Sequence, residues 1–190
     1  MTKPTSNANV CARQAQDPVR RPPLIVVFVA VFVIALGETA GALMSAFRPG
    51  IQTYARSRVA ANPAAHGFAG TPEYDLEITS RAVFATEAGL SFFHTHSEGL
   101  GPIVLLATTV IATFVRSRRA RTGLYALFTL GGLFPLGYLV YAVAVLEAGR
   151  DTGVELAERY VLTPLGSAAI IGLLALALVL AGRRGSTPAG

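Results

Sequence analysis

Residues 92–102 read FFHTHSEGLGP, and the next stretch, GPIVLLATTVIATFV, is almost wholly apolar. His94, His96 and Glu98 therefore stand at alternate positions at the mouth of a segment that could cross a bilayer. Imidazole nitrogens beside a carboxylate form a donor set for zinc, copper, iron or manganese. The same groups can pass protons. Backbone geometry decides between the two uses. In an extended chain the side chains alternate, so His94, His96 and Glu98 share one face and converge as a metal requires. His66 and Glu87 are additional donors for such a site. In a helix continuous from about Ser80, at about 100° per residue, Glu87, His94 and Glu98 fall within about 40° of one another and His96 points away. That stripe of carboxylate, imidazole and carboxylate suits proton transfer. A third reading makes the three residues solvated markers of the segment's end. Copper, zinc and iron are the metals considered. Haem fits less well, because His94 and His96 lie on one segment; it would need His66, a single axial ligand or a second copy of the chain.

A second ionisable group interrupts an apolar run. Glu38 sits in LGETAGALM, and a carboxyl at membrane depth is a functional hypothesis by default. We read it as the proton partner of the histidine cluster. Gly37 and Gly41 beside it would let another helix approach closely. The stretch ETAGALM resembles the first-span pattern of small multidrug-resistance transporters, and that resemblance implies proton-coupled transport on Glu38. The chain departs from that family in its greater length, in the long connection at 48–78 and in HTHSE, so it is not assigned there.

These residues need elements to hold them, and composition names the kind. The chain of 190 residues is 52% hydrophobic and 14% charged, whereas a soluble domain carries about 25% charged residues. A transmembrane helix needs about 20 apolar residues, and four stretches qualify: 24–47, about 90–115, 123–146 and 162–182. The expected fold is thus an all-α integral membrane protein with four transmembrane helices. Residues 1–23 and 185–190 read as polar tails, the first disordered and cytoplasmic. The outer loop 48–78, rich in Ala, Pro and Gly, is expected to be irregular.

Charge gives the direction. With the N-terminus inside, the cytoplasmic parts hold Lys3, Arg13, Arg20, Arg21, Arg116, Arg118, Arg119, Arg121, Arg183 and Arg184, against the acid Asp17. Every other acid except Glu38 falls on the opposite side. Basic residues near span ends set topology, so both termini are expected in the cytoplasm and the chain in the plasma (inner) membrane. The cluster RSRRAR at 116–121 is explained by this rule, and no basic run is interleaved with aromatics, so nucleic acid is not expected as a partner. A secretory signal cut after Ala42 competes for the first segment. A signal's apolar core is typically about 7–15 residues, and this one continues for about 23, which favours an uncut anchor. The single cysteine, Cys11, allows no internal disulfide and no CxxC site.

Helical rise is about 1.5 Å per residue, which puts Glu38 about 21 Å, Tyr138 about 22 Å, Glu98 about 27 Å, His96 about 30 Å and Ser167 about 24 Å above the cytoplasmic ends of their spans. All lie in the outer third of a hydrocarbon layer about 30 Å thick. Gly99, Gly101, Pro102, Pro135, Gly137, Pro164 and Gly166 fall in the same layer, and irregular backbone is tolerated there where it lines a cavity. The expectation is a wet pocket open to the periplasmic face over a sealed apolar floor. Glu147, Asp151 and Glu155, at four-residue spacing, read as a solvated interfacial face. There is no phosphate-binding loop, GxSxG or HExxH pattern. Three functions follow: binding of a transition metal for redox or metal-handling work, proton-coupled transport through Glu38, or a non-catalytic subunit. The expected partners are the lipid bilayer and other membrane subunits or a homo-oligomer.

Overall fold

The computed structural model describes residues 21–184, so residues 1–20, with Lys3, Cys11, Arg13 and Arg20, and residues 185–190 lie outside the described part. Every regular element described is helical. Helix α1 is Leu24–Ala61, α2 Pro63–His66, α3 Pro72–Phe114, α4 Arg118–Gly132, α5 Leu136–Ala148 and α6 Arg150–Ala157. A π-turn, Glu158–Leu162, leads into α7, Thr163–Arg184. Four helical runs are long and apolar enough to cross a membrane: α1, α3, α4 with α5, and α6 with α7.

The helices overshoot what a bilayer needs. At 1.5 Å per residue α1 is about 57 Å and α3 about 65 Å long, against a hydrocarbon layer of about 30 Å. Much of the excess lies in 48–78, where helix covers 48–61, 63–66 and 72–78, so the irregular backbone expected there is confined to residues 62 and 67–71. Alanine-rich chain favours helix, and Pro63 and Pro72 stand in the first turn of α2 and α3, where a missing N–H costs nothing. A kink falls where the first span was expected to end. Phe47 departs from helical geometry (φ −122°, ψ 20°), two residues before Pro49. Proline removes a hydrogen bond and crowds the carbonyl four residues back, so α1 kinks at the boundary drawn from hydropathy.

The glycines and proline of GLGP do not break α3, which runs through Pro102. Gly101 instead lets α1 come close, since a Cβ there would collide with the Ile34 side chain. Pro135 does interrupt its run: residues 133–135 form a turn between α4 and α5. Ahead of Pro164 the chain widens into the π-turn.

α1 packs chiefly on α3, α3 on α5, and α4 on α7. Two apolar clusters result. One, at the end bearing Arg116 to Arg121, joins Val26, Ala30, Val104, Ile111, Phe128 and Leu176. The other, at the end bearing 48–78, joins Ala55, Val59, Ala82, Val83, Val145 and Leu146. The candidate functional residues lie between them or beside the second.

Candidate metal centre

His94 is placed by its seat on α1. Its ring lies against Gly41, where a Cβ would come within 2.6 Å of the imidazole Cε1. Its Nδ1 is 3.1 Å from the Gly37 carbonyl oxygen. A carbonyl only accepts, so Nδ1 carries a proton, and in the neutral ring Nε2 keeps its lone pair. Gly37 is itself crowded by Ser97, so a side chain at Gly37 would press on α3 and one at Gly41 would displace the His94 ring. The small-residue spacing of Gly37 and Gly41 thus brings the backbones together and at the same time orients the ring.

Because α3 is a continuous helix, Glu98 returns to the His94 face one turn on, with its Oε1 3.5 Å from His94 Nε2. Glu38, one residue beyond Gly37 on α1, completes the group. One donor atom from each of Glu38, His94 and Glu98 can be chosen so that all lie within 4.8 Å of one another. These three residues form a group that could hold a metal ion. The donor chemistry fits: one imidazole nitrogen is free, the other is fixed on a backbone carbonyl, which is the usual support of a ligating histidine. Two carboxylates supply the remaining donors. Glu38 and Glu98 are exposed and His94 is partly covered.

His96 is not brought into this group. Its Nδ1 donates to the Phe92 carbonyl at 2.8 Å, and its ring packs 4.7 Å from Tyr138 and 5.6 Å from Phe134. The alternate spacing converges on one face only in extended chain, and the helix turns His96 toward α5 instead. His66 also lies elsewhere, at the 48–78 end, with Nε2 3.1 Å from the Leu146 carbonyl. Ser167 is exposed on α7. The expected polar layer is therefore split into a group between α1 and α3 and an aromatic group between α3 and α5.

Glu87 is on the His94 stripe but is engaged by α1. It accepts from Arg48 Nε and Gln52 Nε2, both at 3.0 Å. It lies 27 residues before Phe114, about 40 Å along the helix, a length greater than the roughly 30 Å of a hydrocarbon layer. Burial pushes its carboxyl up, but the hydrogen bonds from Arg48 and Gln52, with the charges of Arg48 and Arg56, outweigh that and hold it below the usual carboxylate range. A groove of about 620 Å³, lined by Met44, Ser45, Arg48, Glu87 and Ser91, lies along this α1–α3 seam. Glu147 is likewise taken, by a two-oxygen contact with Arg58 (2.6 and 2.7 Å), which raises the guanidinium pKa further. Glu147, Asp151 and Glu155 do not share a face, because Gly149 (φ +82°) ends α5 between them.

Sequence reasoning missed the partners of these groups: the Gly37 carbonyl for His94, and Arg48 with Gln52 for Glu87. Glu38, Ser45 and Gln52 at seven-residue spacing, facing Glu87, His94 and Glu98 at spacings of seven and four, are the signal that could have paired the two helices.

Comparison of the chain with protein-family models, with curated proteins and with solved structures returned no match.

Proposed function

We propose that this chain is an integral membrane protein that binds a transition metal between α1 and α3, through Glu38, His94 and Glu98. The observation that carries the reading is the approach of three donor atoms from helices far apart in sequence to within 4.8 Å. A nitrogen with two carboxylate oxygens is a borderline-to-hard set, so zinc or ferrous iron suits it better than cuprous copper, which prefers thiolate and thioether. Three protein donors leave a coordination position open for water or a substrate, as in sites that exchange or use their metal. His96 belongs to the aromatic contact with Tyr138 and is not a ligand in this reading. The RSRRAR end faces the cytoplasm by the positive-inside rule, which puts the group in the outer third of the membrane, beneath the α1–α3 groove.

Metal analysis of the purified protein tests this. One equivalent of metal is expected in the parent and in His96→Ala, and background levels in His94→Ala and in a Glu38→Gln/Glu98→Gln pair. Equal sub-stoichiometric metal in all four would end the reading. The same contact of carboxylate, imidazole and carboxylate could also carry protons. Metal-free protein whose substrate-driven proton flux is lost in Glu38→Gln would move the assignment to proton-coupled transport.

A further inference from the structure

A second built site lies at the far end of the molecule, unrelated to the metal group. A cavity of about 290 Å³ is walled by α2, α3 and the start of α6, and His66, Arg81, Gly149, Arg150, Asp151 and Thr152 contribute to its lining. Three observations converge there. The first is a helix start: Gly153 N–H donates to the Gly149 carbonyl as the first bond of α6. The N–H groups of Arg150, Asp151 and Thr152 therefore have no acceptor within the helix. Gly149 offers no side chain to cap them, and the helical run continues through the π-turn to Arg184. Such an end attracts anions by its free amides and its dipole.

The second is charge. Arg81 and Arg150 flank the cavity; Arg81 pairs with Glu77, and Arg150 with Asp151 at 3.2 Å. The arginine side chains are more than half exposed, and both residues contribute to the cavity lining. The third is His66. It is only 7% exposed, its Nε2 donates to the Leu146 carbonyl, and its buried Nδ1 has no partner among the described residues. With the proton on Nε2, Nδ1 is an acceptor. A buried polar atom without a partner calls for a physical explanation.

We propose that this cavity binds a small protonated oxyanion, hydrogen phosphate, from solution. The α6 amides, the Thr152 hydroxyl and the two guanidinium groups supply donors to its oxygens. His66 and Asp151, which both line the cavity, supply acceptors for its proton, the imidazole Nδ1 and the carboxylate. Sulfate has the same size but no proton at neutral pH, so it would leave the acceptors unmatched and repelled. The phosphate is free, not a lipid headgroup, because of height. Arg81 lies 33 residues before Phe114, about 50 Å along α3, whereas a bilayer with both headgroup layers is about 40–45 Å thick.

The test uses the full chain in a phosphate-free maltoside detergent with EDTA present, titrated with inorganic phosphate or sulfate. Binding is read by calorimetry and by the ¹⁵N shifts of the His66 imidazole. Saturable phosphate binding is expected, with movement of the Nδ1 resonance and sulfate at least roughly tenfold weaker. Arg81→Gln should weaken phosphate roughly tenfold, the loss of one charge-assisted hydrogen bond. Thr152→Glu places a carboxylate on the free amides and should abolish binding in a folded protein. Unchanged affinity in both variants would overturn the proposal, as would sulfate binding as tightly as phosphate. Binding seen only with phosphatidylglycerol vesicles would overturn the free-anion source. Because metal is chelated throughout, failure of the metal reading leaves this result intact.

Discussion

The His94 ring has a donor fixed on one side and a lone pair aimed at two carboxylates on the other, and Gly41 is what allows it to sit there. Gly41→Ala would put a methyl into the ring. The expected result is a loss of about 1–3 kcal/mol in stability, typical of overpacking, with at least a tenfold loss of metal affinity; thermal unfolding and metal titration read the two separately. Glu87 makes a different prediction. Its pKa is lowered on folding, so its contribution is present above its ordinary value of 4.5 and is lost as pH falls through the lower folded value. The Arg48 partner is largely exposed, so the effect is about 1 kcal/mol or less. In Glu87→Gln the acid limb of stability below pH 4.5 should be flatter than in the parent, measured by denaturant unfolding across pH; an unaltered limb would discount the pairing.

The kink in α1 is the device that joins the apolar part of that helix to its polar extension. Pro49 cannot donate to the Ser45 carbonyl, and Phe47 takes up the bend. The bend delivers Arg48 and Gln52 to Glu87 and Arg58 to Glu147. Pro49→Ala should straighten α1. Spin labels at Ala42 and Ala60 would then report a longer and narrower distance distribution, and the acid limb should change as in Glu87→Gln. An identical distribution in the two proteins would assign the bend to packing alone. This element also shows where sequence reading stopped. Hydropathy marked the end of the first span at Phe47, yet the helix resumes beyond it, because a drop in apolar character ends a membrane crossing without ending a helix.

The four helical runs share their burial unevenly: α1 and the α6–α7 run, at the flanks, are less covered than α3 and the α4–α5 run. Ile25, Phe28 and Phe32 on α1 and Ile170, Leu174 and Leu178 on α7 stay exposed. These are surfaces suited to lipid or to a neighbouring subunit. The proposed orientation has a direct check. In a background lacking Cys11, a cysteine at Ala60 should react with a membrane-impermeant maleimide on intact cells, and one at Thr122 only after permeabilisation. The reverse pattern would invert the topology and place the metal group near the cytoplasm.

Four apolar runs, the basic bias at one end and the suspicion attached to Glu38, His94 and Glu98 were all legible in the linear chain. Each depends on local composition or on the cost of an ionisable group in lipid, which add up residue by residue. The division of labour within HTHSE was not legible. It turns on whether residues 92–102 are extended or helical, and a Gly-Leu-Gly-Pro stretch permits both. Packing settled it: Gly101 against Ile34 and Ser97 against Gly37 hold α3 along α1, so its helix continues. That continuity sends His94 and Glu98 to Glu38 and turns His96 to Tyr138. The pairing of residue 38 with residue 94 is a contact between distant parts of the chain, and no local preference encodes it.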